Sequence, residues 1–124
     1  KFLPQRAAIE QFGAGGFRFA GMSHQGSLLV LPSGMRAWRP QAFADLLSAD
    51  FDAVLAERDE IDLLLLGTGA AMARLPQDIA INLKSSGINV DAMSTSSAIH
   101  VYNVVVAEGR RVAAGFIAVD HAHV

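Results

Sequence analysis

The sequence predicts an α/β protein, and three observations carry that prediction. Leu63-Leu64-Leu65-Leu66 stands unbroken at the end of the segment Ile61 to Leu66, and an apolar run without alternation has no solvent face, so it marks a strand buried on both sides. From that run onward, strand-like and helix-like segments alternate over about 60 residues, which is the pattern of an α/β unit. Ahead of it, residues 9–38 are short apolar stretches punctuated by glycine, the pattern of a β-meander.

The elements follow in order. Ile9 to Phe12 and Phe17 to Ala20 flank Gly13-Ala14-Gly15-Gly16, a cluster suited to positive φ and a tight reversal. Gly21 to Gly26 connects to Ser27–Leu31, Pro32-Ser33-Gly34 makes the next turn, and Met35 to Trp38 forms a last short strand. After Arg39-Pro40 the period changes. Phe43, Leu46 and Leu47 share one helical face, and Ser48 or Asp50 caps a turn through Phe51, Val54 and Leu55. Ile61 to Leu66 is the expected central strand. Pro76 suits a first helical turn, with Ile79, Ala80 and Leu83 as the buried stripe and Ser85-Ser86-Gly87 as the stop. Ile88 to Met93 is a strand, Ser94 to Ser97 opens a helix carrying Ala98, Val101, Tyr102 and Val105 at helical spacing, and Gly109 closes it before a final strand over Val112 to Val119. No repeat or long linker divides the chain, so residues 1–124 are expected to form one domain: a β-meander layer over 8–38, an α/β unit over 60–119 and a loose tail over 120–124.

Composition narrows the function classes. The chain has 124 residues, enough for one core without disulfides or metal. A net charge of −2 argues against nucleic acid or an anionic membrane as the main partner, since both demand clustered Lys and Arg. Charged residues make up only 18% against a hydrophobic fraction of 52%, which points to some apolar surface. With Phe17, Phe19 and Trp38 along the meander, this leads to the expectation of a homodimer through that layer. Zero cysteines remove thiol catalysis and Cys-ligated zinc. The stretch Leu63 to Ala73 is too short for an integral membrane segment, and no apolar run follows Lys1-Phe2-Leu3-Pro4-Gln5-Arg6. The expected location is the bacterial cytoplasm, or the mitochondrion for a eukaryotic chain.

Few residues offer chemistry. Gly67-Thr68-Gly69 follows a buried strand, where phosphate loops sit. A dinucleotide fingerprint would want a third small residue where this chain has Met72, with Asp91 placed near the expected ribose acid. No Gly-Lys-Ser or Gly-Lys-Thr is present, so a Walker-type loop is excluded. Ser94-Thr95-Ser96-Ser97 is the natural partner of the glycine loop. If the strands ending at Leu66 and Met93 run parallel, both loops leave the same sheet edge and their amides and hydroxyls face a common crevice. Gly67, Thr68, Gly69, Ser94, Thr95 and Ser96 are therefore the candidate anion site; the competing reading is ordinary capping by Ser94 or Thr95. Arg110-Arg111 either donates to such an anion or terminates the helix through its dipole. Ser23-His24 cannot act as nucleophile and base, because neighbours on a strand point to opposite faces. His24, His100, His121 and His123 have no metal-ligand spacing, and no carboxylate pair suggests acid and base. No catalytic residue, metal site or cofactor is expected.

An ordered series of motifs nevertheless identifies a resemblance. It runs through Phe12-Gly13-Ala14-Gly15-Gly16-Phe17-Arg18-Phe19, His24 to Pro32, Trp38 and Leu66-Gly67-Thr68-Gly69. It continues through Gly87-Ile88, Met93-Ser94-Thr95, Tyr102-Asn103 and Ala107-Glu108-Gly109-Arg110-Arg111-Val112-Ala113-Ala114. Across roughly residues 8–119 the chain resembles the Mth-like family of domains of unknown function, which includes the mitochondrial NADH dehydrogenase (complex I) assembly factor 3, and it looks like a bacterial member. The resemblance implies a three-layer domain: a central mixed sheet, rather than a wholly parallel one, flanked by helices, with an added β-layer from the N-terminal third. It implies no established catalytic residue, and a protein partner in respiratory complex assembly. Family members commonly carry Arg where this chain has His100, which replaces a permanent charge by a titratable one.

Overall fold

The structure is a computed structural model that describes residues 2–120. Its strands are β1 (Phe2–Leu3), β2 (Gln11–Gly13), β3 (Gly16–Phe19), β4 (Met22–Gln25), β5 (Leu28–Leu31), β6 (Gly34–Ala37), β7 (Leu63–Gly67), β8 (Asn89–Met93) and β9 (Val112–Phe116). Its α-helices are α1 (Asp52–Ala56), α2 (Gln77–Ser85) and α3 (Thr95–Ala107). Six strands form a mixed sheet in the order β1-β6-β5-β9-β7-β8, and β2-β3-β4 form a separate antiparallel sheet. The fold is α/β with a central mixed sheet, and β7 pairs in parallel with both β8 and β9.

The leucine run shows why this strand is central. Leu64 and Leu66 pack with Ile79 and Leu83 of α2 and with Val54 and Phe51, whereas Leu65 packs on the other side with Tyr102 and Val105 of α3. Alternate side chains thus enter two different cores, and neither face has room for a polar residue. Leu28 and Val30 point to the α3 side, and Leu29 and Leu31 to the α2 side. The three-stranded sheet covers the same face as α3 through Phe17 and Phe19, and the Phe116 ring lies 6.0 Å from Phe17 and 5.5 Å from Tyr102.

Several local expectations need correction. The meander over 8–38 does not stay in one layer: β5 leaves it, pairs with β9 and carries β6 into the central sheet. Its four-residue core has the same two-sided burial as the leucine run, so a purely added layer could not hold it. Met22–Gln25, read as a connector, is a strand, because it completes the antiparallel register Phe17↔His24 and Phe19↔Met22. Phe43 to Leu47 does not form an amphipathic helix. A 3-10 turn covers Phe43–Asp45, Leu46 is buried and Leu47 is 57% exposed, so the two leucines do not share a face. Phe17, Phe19 and Trp38 are not surface residues either, being 2%, 1% and 4% exposed. Trp38 lies over Gly115, where an added Cβ would fall 2.6 Å from the indole ring, and its Nε1 donates to the Asp50 carbonyl at 3.0 Å.

Side chains of α3 secure the irregular segment that leads into β2. Tyr102 Oη donates to the Ala7 carbonyl at 2.7 Å, and burial pushes the phenol pKa upward. Asn103 accepts the Ile9 amide at 2.8 Å and donates to the Ile9 carbonyl at 2.9 Å. The Tyr-Asn pair is thereby explained as a clamp on main chain, which has no sheet partner at Ile9. Of the expected loose tail over 120–124, residues 121–124 lie outside the described residues. Asp120 is described, and its carbonyl accepts the Ala14 amide at 2.9 Å.

Candidate functional site

Parallel pairing in register brings Gly67 opposite Met93 on one side and Phe116 on the other. The loops that follow β7, β8 and β9 therefore emerge at one edge of the sheet, and the glycine loop and the serine-threonine helix start meet there. They meet by direct hydrogen bonds. The Gly69 amide donates to Thr95 Oγ1 at 3.0 Å, and the Thr95 amide donates to the Gly69 carbonyl at 2.8 Å. Thr95 Oγ1 donates in turn to the Ile117 carbonyl at 2.7 Å, while the Ile117 amide donates to the Gly67 carbonyl at 2.9 Å. Thr95 is 0% exposed.

The remaining groups of the junction are engaged in the same way. Thr68 donates its amide to the Met93 carbonyl at 2.8 Å and its hydroxyl to the Ala71 carbonyl at 2.7 Å, and Thr68 Oγ1 accepts the Ala73 amide at 3.0 Å. Ser94 is the N-cap of α3: its Oγ accepts the Ser97 amide at 3.2 Å, satisfying one of the donors that a helix start leaves open. Ser96 is half-buried. Gly67 permits this closeness. A Cβ there would fall 2.9 Å from Thr95 Cα and 3.3 Å from the Phe116 ring, so the strand end and helix start approach as only glycine allows. The arrangement locks three strand ends together.

The other flagged residues occupy structural positions. His24 is buried and Ser23 is exposed on β4, on opposite faces as the strand period requires; His24 Nε2 donates to the Ser27 carbonyl at 3.0 Å. Arg111 follows the end of α3 and is engaged by a carboxylate. It pairs with both carboxylate oxygens of Asp62, at 2.8 and 3.2 Å, which holds the Asp62 carboxyl below its ordinary pKa. Among the described residues, no group of three or more His, Asp or Glu is placed to hold a metal ion, and no helix is long and apolar enough to cross a membrane.

One surface feature escaped the sequence reading. A groove of about 840 Å³ runs between α3 and the segment Ile9 to Phe12, lined by Gln11, Phe12, Ser97, His100, Val101 and Asn103 among others. Its two walls lie some 90 positions apart in the chain, and the Asn103 clamp on Ile9, the Tyr102 bond to Ala7 and the packing of Ile9 against α3 bring them together. The one available signal was Asn103 beside an apolar helical stripe, an uncharged polar residue that needs a main-chain partner when half-buried.

Sheet order, junction and the Tyr-Asn clamp define a small mixed-sheet domain, and comparison with known proteins places it. The chain belongs to the family described as protein of unknown function (DUF498/DUF598), which matches residues 9–117. It is similar to an uncharacterized protein of Rhodobacter capsulatus, 39% identical over 109 residues that make up 88% of this chain and 82% of the relative. It is similar to the NADH dehydrogenase [ubiquinone] 1 alpha subcomplex assembly factor 3 of Danio rerio, with 29% identity over 88% of this chain. The matched region spans 63% of that protein's length. Among solved structures, the crystal structure of an outer membrane protein from Bartonella henselae superposes with a TM-score of 0.91 and 43% identity, covering 94% of this chain and 98% of that one.

Proposed function

We propose that the chain is a non-catalytic interaction protein that assists assembly of a respiratory NADH dehydrogenase, acting in the bacterial cytoplasm as one domain. The observation that carries this reading is the kinship with assembly factor 3 along 88% of the chain. The junction supports it from the physical side. Where the Gly67-Thr68-Gly69 loop meets Thr95, hydroxyls and main chain bond to one another and hold strands in place, an arrangement that serves a rigid scaffold. The test is affinity capture of the tagged full chain from its own cells, together with deletion of its gene. NADH dehydrogenase subunits should be enriched in the capture, and the assembled complex should fall in the deletion strain. Normal assembly without the protein would defeat the reading.

A second reading keeps one observation in its favour. An anion-binding module at Gly67, Thr68, Gly69, Ser94, Thr95 and Ser96 requires both loops at one sheet edge, and they are there. To hold an anion, however, the Gly69 and Thr95 amides would have to leave their present partners. Breaking such buried bonds costs on the order of 1–3 kcal/mol for each group, which the interaction reading does not require.

A further inference from the structure

Two segments cross between the six-stranded sheet and the three-stranded one in different ways. Residues 117–120, which follow β9, are held by main chain. The Ile117 amide donates to the Gly67 carbonyl, and the Gly15 and Ala14 amides donate to the Val119 and Asp120 carbonyls, each at 2.9 Å. Residues 4–9, which follow β1, make no bond from main chain to main chain among the described residues. Pro4 has no amide to give. The remaining anchors all involve a side chain. The Ala7 amide donates to Met35 Sδ at 3.2 Å, a weak acceptor, and the Ala7 carbonyl accepts Tyr102 Oη. Asn103 holds the amide and the carbonyl of Ile9, and Arg6 Nη1 donates to the Val112 carbonyl at 2.9 Å.

The segment is fixed firmly only at its ends. Leu3 pairs with Met35 in the large sheet, and the Glu10 amide donates to the Arg18 carbonyl at 2.7 Å in the small one. Between these points Ile9 alone is buried, at 4% exposed, while Pro4, Gln5 and Ala8 are exposed. Few buried apolar contacts, and hydrogen bonds outside any ladder, are the marks of a stretch that opens at low cost. Both ends stay attached when it does, so neither sheet has to break. Ile9 is also part of the groove wall that faces Ile99, His100 and Val101. Lifting it removes that wall and frees Tyr102 Oη and the Asn103 amide, which hold main chain at residues 7 and 9, the spacing of an extended strand.

We propose that residues 4–9 are a strap that opens as one unit while both sheets stay folded, and that its opening unroofs the groove beside α3. In the closed state the strap is itself the occupant of the cleft, held by the groups that opening sets free. This device does not depend on the assembly reading.

Amide hydrogen exchange on the full chain in rising urea tests it. The Ile9 amide should exchange about tenfold or more faster than the amide of Leu65 in β7. Its rate should hardly depend on urea, since opening the strap exposes little surface, whereas the Leu65 rate should rise steeply. Ile79→Val, on the far face of the sheet, should speed Leu65 exchange about fivefold and leave Ile9 unchanged. Tyr102→Phe removes only the bond to the Ala7 carbonyl, yet it should speed Ile9 exchange about fivefold, because residues 7 and 9 open together. An Ile9 amide that follows the urea dependence of Leu65, or responds equally to Ile79→Val, overturns the proposal by making the strap part of the global unit. An Ile9 rate unmoved by Tyr102→Phe overturns it as well, since each residue would then fluctuate alone.

Discussion

The first turn of α3 and the outer strip of the same helix treat polar groups in opposite ways. At the first turn, Thr95 and the facing Gly69 bond to each other, Ser94 accepts the Ser97 amide, and Thr95 has no exposed surface. Along the strip, Ser97, His100, Val104 and Ala107 lie open to solvent without a charge among them. Hydroxyls and glycines at a strand end look like ligand chemistry in a sequence, yet here they are architecture. An uncharged helix face looks like ordinary core in a sequence, yet here it is surface.

The largest effect that can separate the two regions is steric. Gly67→Ala would place a Cβ 2.9 Å from Thr95 Cα, and backbone cannot rotate away as a side chain can. Destabilisation by about 3 kcal/mol is expected, at the upper end for overpacking, read as a fall in the denaturation midpoint. A fully stable Gly67→Ala protein would mean that the junction is loose and the contrast with the strip unreal. Thr95→Val keeps the shape and removes the hydroxyl, leaving the Ile117 carbonyl and the Gly69 amide without that partner in a buried place. A loss of about 2 kcal/mol follows from such unsatisfied groups. Val104→Glu on the outer strip should move folding stability by less than about 0.5 kcal/mol, as surface changes do.

The opposite face of the sheet sharpens the comparison, because there a charge does hold a covering segment down. Asp50 accepts Arg39 Nε and Nη2, both at 2.7 Å, and the Leu47 amide at 2.8 Å. Arg39 also donates to the Asp45 carbonyl. The hydrogen bonds from Arg39 hold the Asp50 carboxyl below its ordinary pKa. A carboxylate whose folded pKa is depressed contributes stability that is complete above its unfolded value and fades as pH falls through the folded one. Asp50→Asn should therefore cost about 1–2 kcal/mol near pH 7, moderated because Arg39 is half-exposed. The difference between Asp50→Asn and wild type should begin to shrink as pH falls below about 4, where the unfolded chain's Asp50 binds a proton that the folded carboxyl takes up only at still lower pH. Denaturant titrations of both proteins at pH 7 and pH 3 would show it; a difference that persisted unchanged at pH 3 would assign the effect to packing.

Much of the fold was legible because burial on two sides leaves a mark in one dimension. The leucine run, the cap at Ser94 and the stops at Gly87 and Gly109 depend on neighbours in sequence, and they stand where expected. The partition of the meander was not legible. Whether Leu28–Leu31 joins β4 or β9 is decided by pairing with residues 84 or more positions away, and both choices have the same local pattern. The burial of Trp38 is equally non-local, since Gly115 makes the space for its ring. At the junction the sequence located the meeting of two loops correctly in space, but it could not count which donors would already be engaged once they met. The groove lay beyond reach because Asn103 joins walls that share no motif.

The smallest expected effect is the one that most directly challenges the contrast between the two parts of α3. Phosphate or sulfate titrated against isotopically labelled protein would, at a true anion site, shift the Gly69 and Thr95 amides first, since these are the donors that the loop and the helix start would have to offer. Both already donate within the fold, at 3.0 and 2.8 Å, and Thr95 Oγ1, the acceptor for Gly69, is itself fixed by its bond to Ile117. An anion would have to open this ring, uncover a buried threonine and compensate several main-chain bonds at once, with no lysine or arginine among the six residues to add charge. A helix start attracts an anion through its unpaired amides, and the amides that matter here are paired. No saturable shift at Gly69 or Thr95 is expected at millimolar phosphate. A saturable shift centred on those two amides would show that the ring opens readily, and the first turn of α3 would then have to be counted with the ligand-seeking surface of the protein.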